Sequence, residues 1–129
     1  MKEKFIAKVP EHLILQPTDT TSRSLWSGRY NVAIWVRLHQ IRPGNINLVL
    51  KYMDREGVTR RVVVDQASAE FTSSVLLSGE VMIPAVGKVI DMGVYLETSE
   101  NCPAITVDEL YLQSSDHKAK QSGKLIAAA

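Results

Sequence analysis

Residues 87–113, GKVIDMGVYLETSENCPAITVDELYLQ, decide the fold of this chain. Every second residue in the first half is apolar, namely Ile90, Met92, Val94 and Leu96. The opposite face carries the residues between them, namely Asp91, Gly93, Tyr95 and Glu97. A period of two predicts a half-buried β-strand. A polar loop that contains Pro103 leads into a second strand, so we predict that the two strands form a hairpin of a β-sandwich.

The second strand of this stretch predicts a β-bulge. Ile105 and Val107 are in phase, but the next apolar residues are Leu110 and Leu112. All four can face one side of a sheet only if the strand absorbs an extra residue between the two pairs. We therefore predict a bulge at residues 108–109.

The rest of the chain repeats the same pattern in short segments. The clearest strand is predicted at residues 30–38, where apolar residues alternate over the whole length. Further strands are predicted at residues 12–16, 46–53, 58–64, 71–77 and 80–83, with a short connection at residues 65–70 that has room for one helical turn. Seven or eight short strands without an amphipathic helix predict an all-β fold. The architecture is an antiparallel β-sandwich of the jelly-roll type.

Length and composition set the limits of this interpretation. A chain of 129 residues predicts one domain, which we place at residues 1–113. Residues 114–129, SSDHKAKQSGKLIAAA, have no apolar period, so we predict a disordered tail. The formal charge of +1 gives no attraction to nucleic acid or anionic lipid, and we expect neither partner.

Membrane insertion and disulfide formation are not predicted either. No stretch approaches the roughly 20 apolar residues that cross a bilayer. Residues 1–16 lack the continuous apolar region of a signal peptide, so we expect a soluble chain without an export signal. Cys102 is the single cysteine, which excludes an intramolecular disulfide and leaves the compartment open.

Catalytic motifs are missing from the sequence. It contains no nucleophile elbow, phosphate loop or dinucleotide fingerprint. His12, His39 and His117 lie far apart, and none has a second ligand type at zinc spacing. We therefore predict that the chain is not an enzyme.

The order of the segments, more than any one of them, resembles a known family. YNVAIWVRL, INLVLKYMDREGVTRRVVV, SGEVMIP, VIDMGVYLET and ITVDELYLQ follow each other as in the jelly-roll carbohydrate-binding modules that accompany xylanases, within the galactose-binding-like superfamily. In that family the last strand ends in two acidic residues followed by apolar residues, as in residues 107–112 here. The chain departs from the family in its short N-terminal part. It also has Phe71 where a tryptophan is more familiar.

The resemblance implies a carbohydrate ligand and a set of ligand-binding residues. Tyr95 and Glu97 are two residues apart, so their side chains point the same way, and the family uses a similar pair on this strand. Trp26 is similar to the family's stacking tryptophan, and Arg23 is the only arginine near enough to replace a ligand-contacting arginine. The alternative is that Tyr95 and Trp26 cap a sheet edge while Glu97 is solvated, in a protein-interaction or assembly domain without a sugar site.

The family also implies a structural calcium ion near its acidic pair, to which Asp108 would contribute. Other candidates rest on the residues alone. Trp35 is predicted to be core, although with Arg37 it could instead line the groove. The patch formed by Lys51, Arg60 and Arg61 could bind an anion, but pairing of the arginines with Asp54 and Glu56 is the simpler interpretation.

The short N-terminal part also predicts an oligomer. A jelly roll closes its sheets with strands from both ends of the chain, so a shortened start leaves one sheet edge open. We expect a homodimer in which residues 58–64 or 12–16 pair with a second copy, with the N-terminal segment in or near the interface.

Overall fold

Two antiparallel four-stranded sheets pack face to face in the computed structural model, which describes residues 2–17, 24–39, 44–69, 73–98, 105–115 and 120–124. Within these ranges the strands are β1 (Lys2–Lys8), β2 (Leu25–Leu38), β3 (Gly44–Met53), β4 (Thr59–Ala69), β5 (Ser73–Val86), β6 (Asp91–Thr98), β7 (Ile105–Ser115) and β8 (Lys120–Lys124). A single turn of 3-10 helix lies at Glu11–Leu13. No helix in the described ranges is long and apolar enough to span a membrane.

The strand order is β1-β6-β3-β4 in the first sheet, here sheet A, and β5-β2-β7-β8 in the second, sheet B. Apart from the β3–β4 and β7–β8 hairpins, consecutive strands lie in opposite sheets, which is jelly-roll connectivity. The predicted all-β jelly-roll sandwich is confirmed.

The core lies between the sheets and is built by alternation. On β2 the inward residues are 0–2% exposed: Tyr30, Val32, Ile34, Val36 and Leu38. On β6, Val94 and Leu96 are fully buried and Met92 is nearly so, as predicted. Ile90 is an exception, since it is 56% exposed and precedes β6. Its backbone N–H donates to the Met53 carbonyl, while its side chain lies largely in solvent.

The predicted bulge at residues 108–109 is confirmed. Trp35 on β2 lies opposite Glu109, while the next residue, Val36, lies opposite Val107. Asp108 is therefore the extra residue, and Leu110 and Leu112 return to the buried side.

The predicted hairpin between β6 and β7 is wrong. β6 pairs with β1 and β3 in sheet A, whereas β7 pairs with β2 and β8 in sheet B. Two strands that face each other across a core bury alternate residues just as two neighbours in one sheet do, so the pattern does not choose between them.

The β3–β4 hairpin turns at Asp54, which is fully buried. Its carboxylate accepts hydrogen bonds from the backbone N–H groups of Glu56 at 3.0 Å and Val86 at 2.9 Å, and from Arg60 Nε at 3.1 Å. Burial alone would raise the pKa of Asp54, but these bonds outweigh it and hold the pKa below its ordinary value. Gly57 completes the turn with a φ of 77°.

Strands β4 and β5 are both longer than predicted. Residues 65–69, expected to be a connection with a helical turn, continue β4 because they pair with the first half of β3. Gly79 separates the two strands predicted at residues 71–77 and 80–83. In the structure it lies inside the single strand β5. A Cβ at that position would be 2.6 Å from the Val64 carbonyl oxygen, so this glycine allows close backbone approach between β4 and β5.

The chain ends also differ from the predictions. Residues 2–8 form edge strand β1, which pairs with β6 of the same chain and thereby completes sheet A. The strand predicted at residues 12–16 is wrong: Glu11–Leu13 is helical because Pro10 sets the entry angle and its carbonyl accepts the Leu13 N–H. Within residues 114–129, predicted to be disordered, β7 continues to Ser115 and β8 pairs with it, because backbone pairing needs no apolar period.

Candidate functional site

Within the described ranges, the outer face of sheet A carries a group of aromatic, charged and amide side chains on neighbouring strands. Residues directly opposite each other in antiparallel strands share a face. Phe5 lies opposite Tyr95, and Glu97 lies between Glu3 and Asn47 on its two neighbours. Lys51 lies opposite Arg61 on β4. We call this set the sheet A face: Glu3, Phe5, Asn47, Lys51, Arg61, Tyr95 and Glu97.

Two aromatic rings stand side by side on the sheet A face. The ring centroids of Phe5 and Tyr95 are 5.3 Å apart with an interplanar angle of 64°, an edge-to-face contact. Phe5 is 43% exposed, an unusual fraction for a phenylalanine. Gly93 lies under the pair, since a Cβ there would be 3.0 Å from Tyr95 Cε1 and 3.4 Å from Phe5 Cε1. The missing side chain lets both rings lie close to the sheet.

Lys51 reaches over the Tyr95 ring. Its Nζ is 5.1 Å from the ring centroid, within the range of a cation–π contact. The same ammonium forms an ion pair with Glu3. Because β3 and β1 are separated by β6, the Lys51–Glu3 pair crosses the strand that carries Tyr95.

Glu97 is held as a carboxylate by its neighbours. It is 7% exposed, and Arg61 Nε donates to Oε2 at 2.7 Å while Arg61 Nη2 donates to Oε1. Asn47 Nδ2 lies 3.4 Å from Oε1. The hydrogen bonds from Arg61 lower the pKa of Glu97 most, burial opposes them, and the bond from Asn47 adds to the lowering. The site thus presents a fixed, ionised carboxylate beside the aromatic pair.

Two of the four predicted ligand-binding residues come together, and one is elsewhere. Tyr95 and Glu97 share the sheet A face with the spacing expected of them. Trp26 lies on β2 in sheet B and packs against the core, where its indole N–H donates to the Gly87 carbonyl at 2.6 Å. Its ring covers buried Gly28, so it closes the end of the core. Arg23 lies outside the described residues.

Asp108, the predicted calcium ligand, is engaged by an arginine. Arg37 Nε lies 3.1 Å from each carboxylate oxygen, and Arg37 Nη2 lies 2.9 Å from Oδ1. The described ranges contain no group of three or more histidine, cysteine, aspartate or glutamate residues arranged to hold a metal ion. Asp108 is therefore paired with an arginine, and the calcium ion stays a prediction.

The other predicted candidates are resolved by pairing and exposure. Arg60 pairs with Asp54 and Glu56, as the simpler interpretation holds. Arg61 and Lys51 have Glu97 and Glu3 as partners, so each cation of the predicted anion patch faces a carboxylate. Trp35, predicted to be core, is 44% exposed on the outer face of sheet B, because the inward positions of β2 are those of the other parity.

Sequence reasoning missed the contribution of β1 to this site. In residues 2–8, KEKFIAK, the apolar residues Phe5, Ile6 and Ala7 are consecutive, so no alternation signals a strand. The structure gives the reason, since the register of β1 shifts between Phe5 and Ala7. Asn47 was hidden in another way: the alternation of β3 predicts its face but not which strand lies next to it.

Comparison with known proteins supports the fold. The sequence matches no protein-family model, and no curated protein matches it. Among solved structures, the fold is similar to the CBM22-1–GH10 modules of endo-1,4-β-D-xylanase 10B from Clostridium thermocellum complexed with xylohexaose, with a TM-score of 0.55 and 12% identity over 70% of this chain and 17% of that chain. It is also similar to the CBM22-1 xylan-binding domain of Xyn10C from Paenibacillus barcinonensis, with a TM-score of 0.55 and 18% identity over 79% of this chain and 58% of that chain.

The matched regions are less than two thirds of either solved chain. At these identities the likeness establishes a shared jelly-roll sandwich.

Proposed function

We propose that this chain is a non-catalytic carbohydrate-binding module that binds a poly- or oligosaccharide on the sheet A face. The observation that carries the proposal is the cluster of two aromatic rings, Phe5 and Tyr95, beside a fixed carboxylate and amide, Glu97 and Asn47. Aromatic rings accept the apolar side of a pyranose, and fixed polar groups orient its hydroxyls. The face supplies both at adjacent positions of sheet A.

The similar structures suggest which sugars to test first. One of them is a xylan-binding domain, and the other was solved with xylohexaose. Fold alone does not carry a ligand from one protein to another. Xylan is therefore the first sugar to test, and the sheet A face is where we expect it to bind.

The carboxylates of this face favour binding over hydrolysis. Glu3 and Glu97 lie directly opposite each other, which brings two acids together as in a glycosidase. Hydrolysis needs one of them protonated near neutral pH, which requires a raised pKa. Here Lys51 and Arg61 pair with the two acids, and the pKa of Glu97 is lowered. Glu97, which Arg61 holds as a carboxylate, is therefore unsuited to donate a proton.

Calorimetry and affinity electrophoresis on soluble xylan, β-glucan and galactose-type oligosaccharides test the proposal. We expect saturable binding of at least one of them, without release of reducing ends. Tyr95→Ala should weaken that binding about tenfold or more through lost stacking. Tyr111→Ala is the matched control, since Tyr111 is 44% exposed on the outer face of sheet B. Absence of binding at millimolar ligand by the unaltered chain would contradict the proposal.

A second candidate function is self-assembly, and the outer face of sheet B favours it. Trp35, Leu76 and Tyr111 are each 44% exposed there, and Trp35 lies directly opposite Leu76. Apolar side chains grouped on one face mark interaction surfaces. The occupant we propose is a second copy of the chain, in a homodimer that buries this face.

This surface suits a homodimer better than the strand edge predicted from residues 58–64. β5 bonds to the chain on both sides of that edge: the Arg55 N–H, in the turn before β4, donates to the Val86 carbonyl at 3.2 Å, and the Ser78 N–H donates to Asp65 of β4 at 2.9 Å. Light scattering at tens of micromolar should give a dimer mass that Trp35→Ser returns to the monomer. A monomer mass for the unaltered chain would contradict this candidate and leave the sugar proposal intact.

A further inference from the structure

The Lys51–Glu3 pair lies where a sugar would have to stack. Lys51 is on β3 and Glu3 is on β1, so their side chains meet above the intervening strand β6. Tyr95 lies on that intervening strand, beneath the pair. The ammonium of Lys51 is over its ring, 5.1 Å from the centroid. The pair is only partly exposed, at 23% for the Lys51 side chain and 37% for Glu3.

The remaining surroundings of Tyr95 leave few directions of approach. Gly93 lies on the sheet side, where an added Cβ would be 3.0 Å from Tyr95 Cε1. Phe5 packs against the ring at 64°. The ring face over which Lys51 lies is therefore the one that a ligand arriving from solvent would meet.

We propose, resting on the proposed function, that Lys51 determines the affinity of the sheet A face by occupying the stacking surface of Tyr95 until a sugar displaces it. Glu3 holds the ammonium in that position. A neutral sugar has no charge with which to replace either partner. Its binding must break the cation–π contact and the ion pair together.

The expected size of the effect follows from the strength of these contacts. Cation–π contacts and ion pairs at partly exposed positions are each weak, so displacing both lowers sugar affinity by about three- to thirtyfold. Removing the ammonium while keeping an apolar chain of similar length should recover that factor. Methionine at position 51 meets this requirement, since its side chain is unbranched and flexible.

The test compares four chains against the same soluble neutral xylan by calorimetry: the unaltered chain, Lys51→Met, Glu3→Gln and Lys88→Met. Lys88→Met removes the same charge from an exposed residue of the β5–β6 loop and serves as the control. We expect Lys51→Met to bind about three- to thirtyfold more tightly, Glu3→Gln to gain less, and Lys88→Met to match the unaltered chain. Raising the salt concentration should tighten binding by the unaltered chain but not by Lys51→Met, because salt screens the ion pair.

A measurement without ligand separates this inference from the proposed function. The ε-methylene protons of Lys51 should show an upfield ring-current shift in NMR spectra that Tyr95→Leu abolishes. Absence of that shift, or equal or weaker sugar binding by Lys51→Met, overturns the role of Lys51 while binding by the unaltered chain still stands. If the unaltered chain binds none of the soluble sugars named above at millimolar concentration, the proposed function itself is overturned, and this inference with it.

Discussion

The two outer faces of this sandwich carry the same kind of ion pair under different conditions. Arg61 binds Glu97 through two nitrogens on sheet A, and Arg37 binds Asp108 in the same way on sheet B. The Glu97 side chain is 10% exposed, whereas that of Asp108 is 40% exposed. Glu97 lies on a strand with neighbours on both sides, while Asp108 is the extra residue of a bulge. The burial of an ion pair by its neighbours therefore determines how much that pair contributes to the stability of the fold.

The faces also differ in where charge lies relative to the rings. On sheet A, Lys51 lies over the Tyr95 ring and pairs with Glu3, while Arg61 pairs with Glu97, two residues further along the strand that carries Tyr95. On sheet B, Trp35 has Leu76 on β5 and Glu109 on β7 as cross-strand neighbours, and the Arg37–Asp108 pair lies two residues further along β2. A ring that lies under a cation and next to ion pairs favours a small polar ligand. Apolar side chains grouped at the surface favour another protein surface. Substitutions on each face test this contrast.

The largest expected effect comes from the residue between the two site residues. Leu96 lies between Tyr95 and Glu97 in sequence and is fully buried on the inner side of sheet A. Leu96→Ala should lower the free energy of unfolding by about 2 to 4 kcal/mol through lost transfer energy and a cavity. Urea denaturation measures it. A change below about 0.5 kcal/mol would mean that the inner and outer sides of sheet A are interchanged.

Substitution of Arg61 and of Arg37 directly compares the contributions of the two ion pairs to stability. Arg61→Ala leaves a nearly buried carboxylate without its main partner and should cost about 1 to 2 kcal/mol of unfolding free energy. Arg37→Ala leaves an exposed carboxylate that water solvates and should cost less than about 0.5 kcal/mol. The same denaturation experiment measures both. Equal costs would show that burial of the acid does not distinguish the faces.

The sequence predicts the strands of this fold better than their neighbours. Alternation around Val94 and Leu96 predicts a strand and its buried side, and the phase change before Leu110 predicts the bulge at Asp108. Alternation is a property of one strand, however, whereas pairing is a property of two. It therefore misplaces β6 and β7 in one hairpin, when they lie in opposite sheets.

The sequence predicts only those residues of the site that lie together on one strand. The spacing of Tyr95 and Glu97 predicts their common face, because both lie on β6. Phe5 and Asn47 join them through strand pairing, which no local pattern reports. The sequence does not place Trp26 relative to these residues, because an aromatic residue before the predicted strand can point to either end of a core, and its hydrogen bond to Gly87 depends on tertiary structure.

The last predicted effect is a pH dependence that belongs to the sheet A face. The pKa of Glu97 in the folded chain lies below its ordinary value of 4.5. The ionised side chain therefore stabilises the fold fully above that ordinary value, and the stabilisation is lost as pH falls through the lowered pKa. Comparison with Glu97→Gln isolates this contribution, because Asp54, whose pKa is also lowered, is present in both chains and cancels. The unaltered chain should be more stable than Glu97→Gln by on the order of 1 kcal/mol at neutral pH, and urea denaturation should show this difference shrinking below the ordinary pKa. A difference that is constant or grows on acidification would mean that Arg61 does not hold Glu97 in its ionised form.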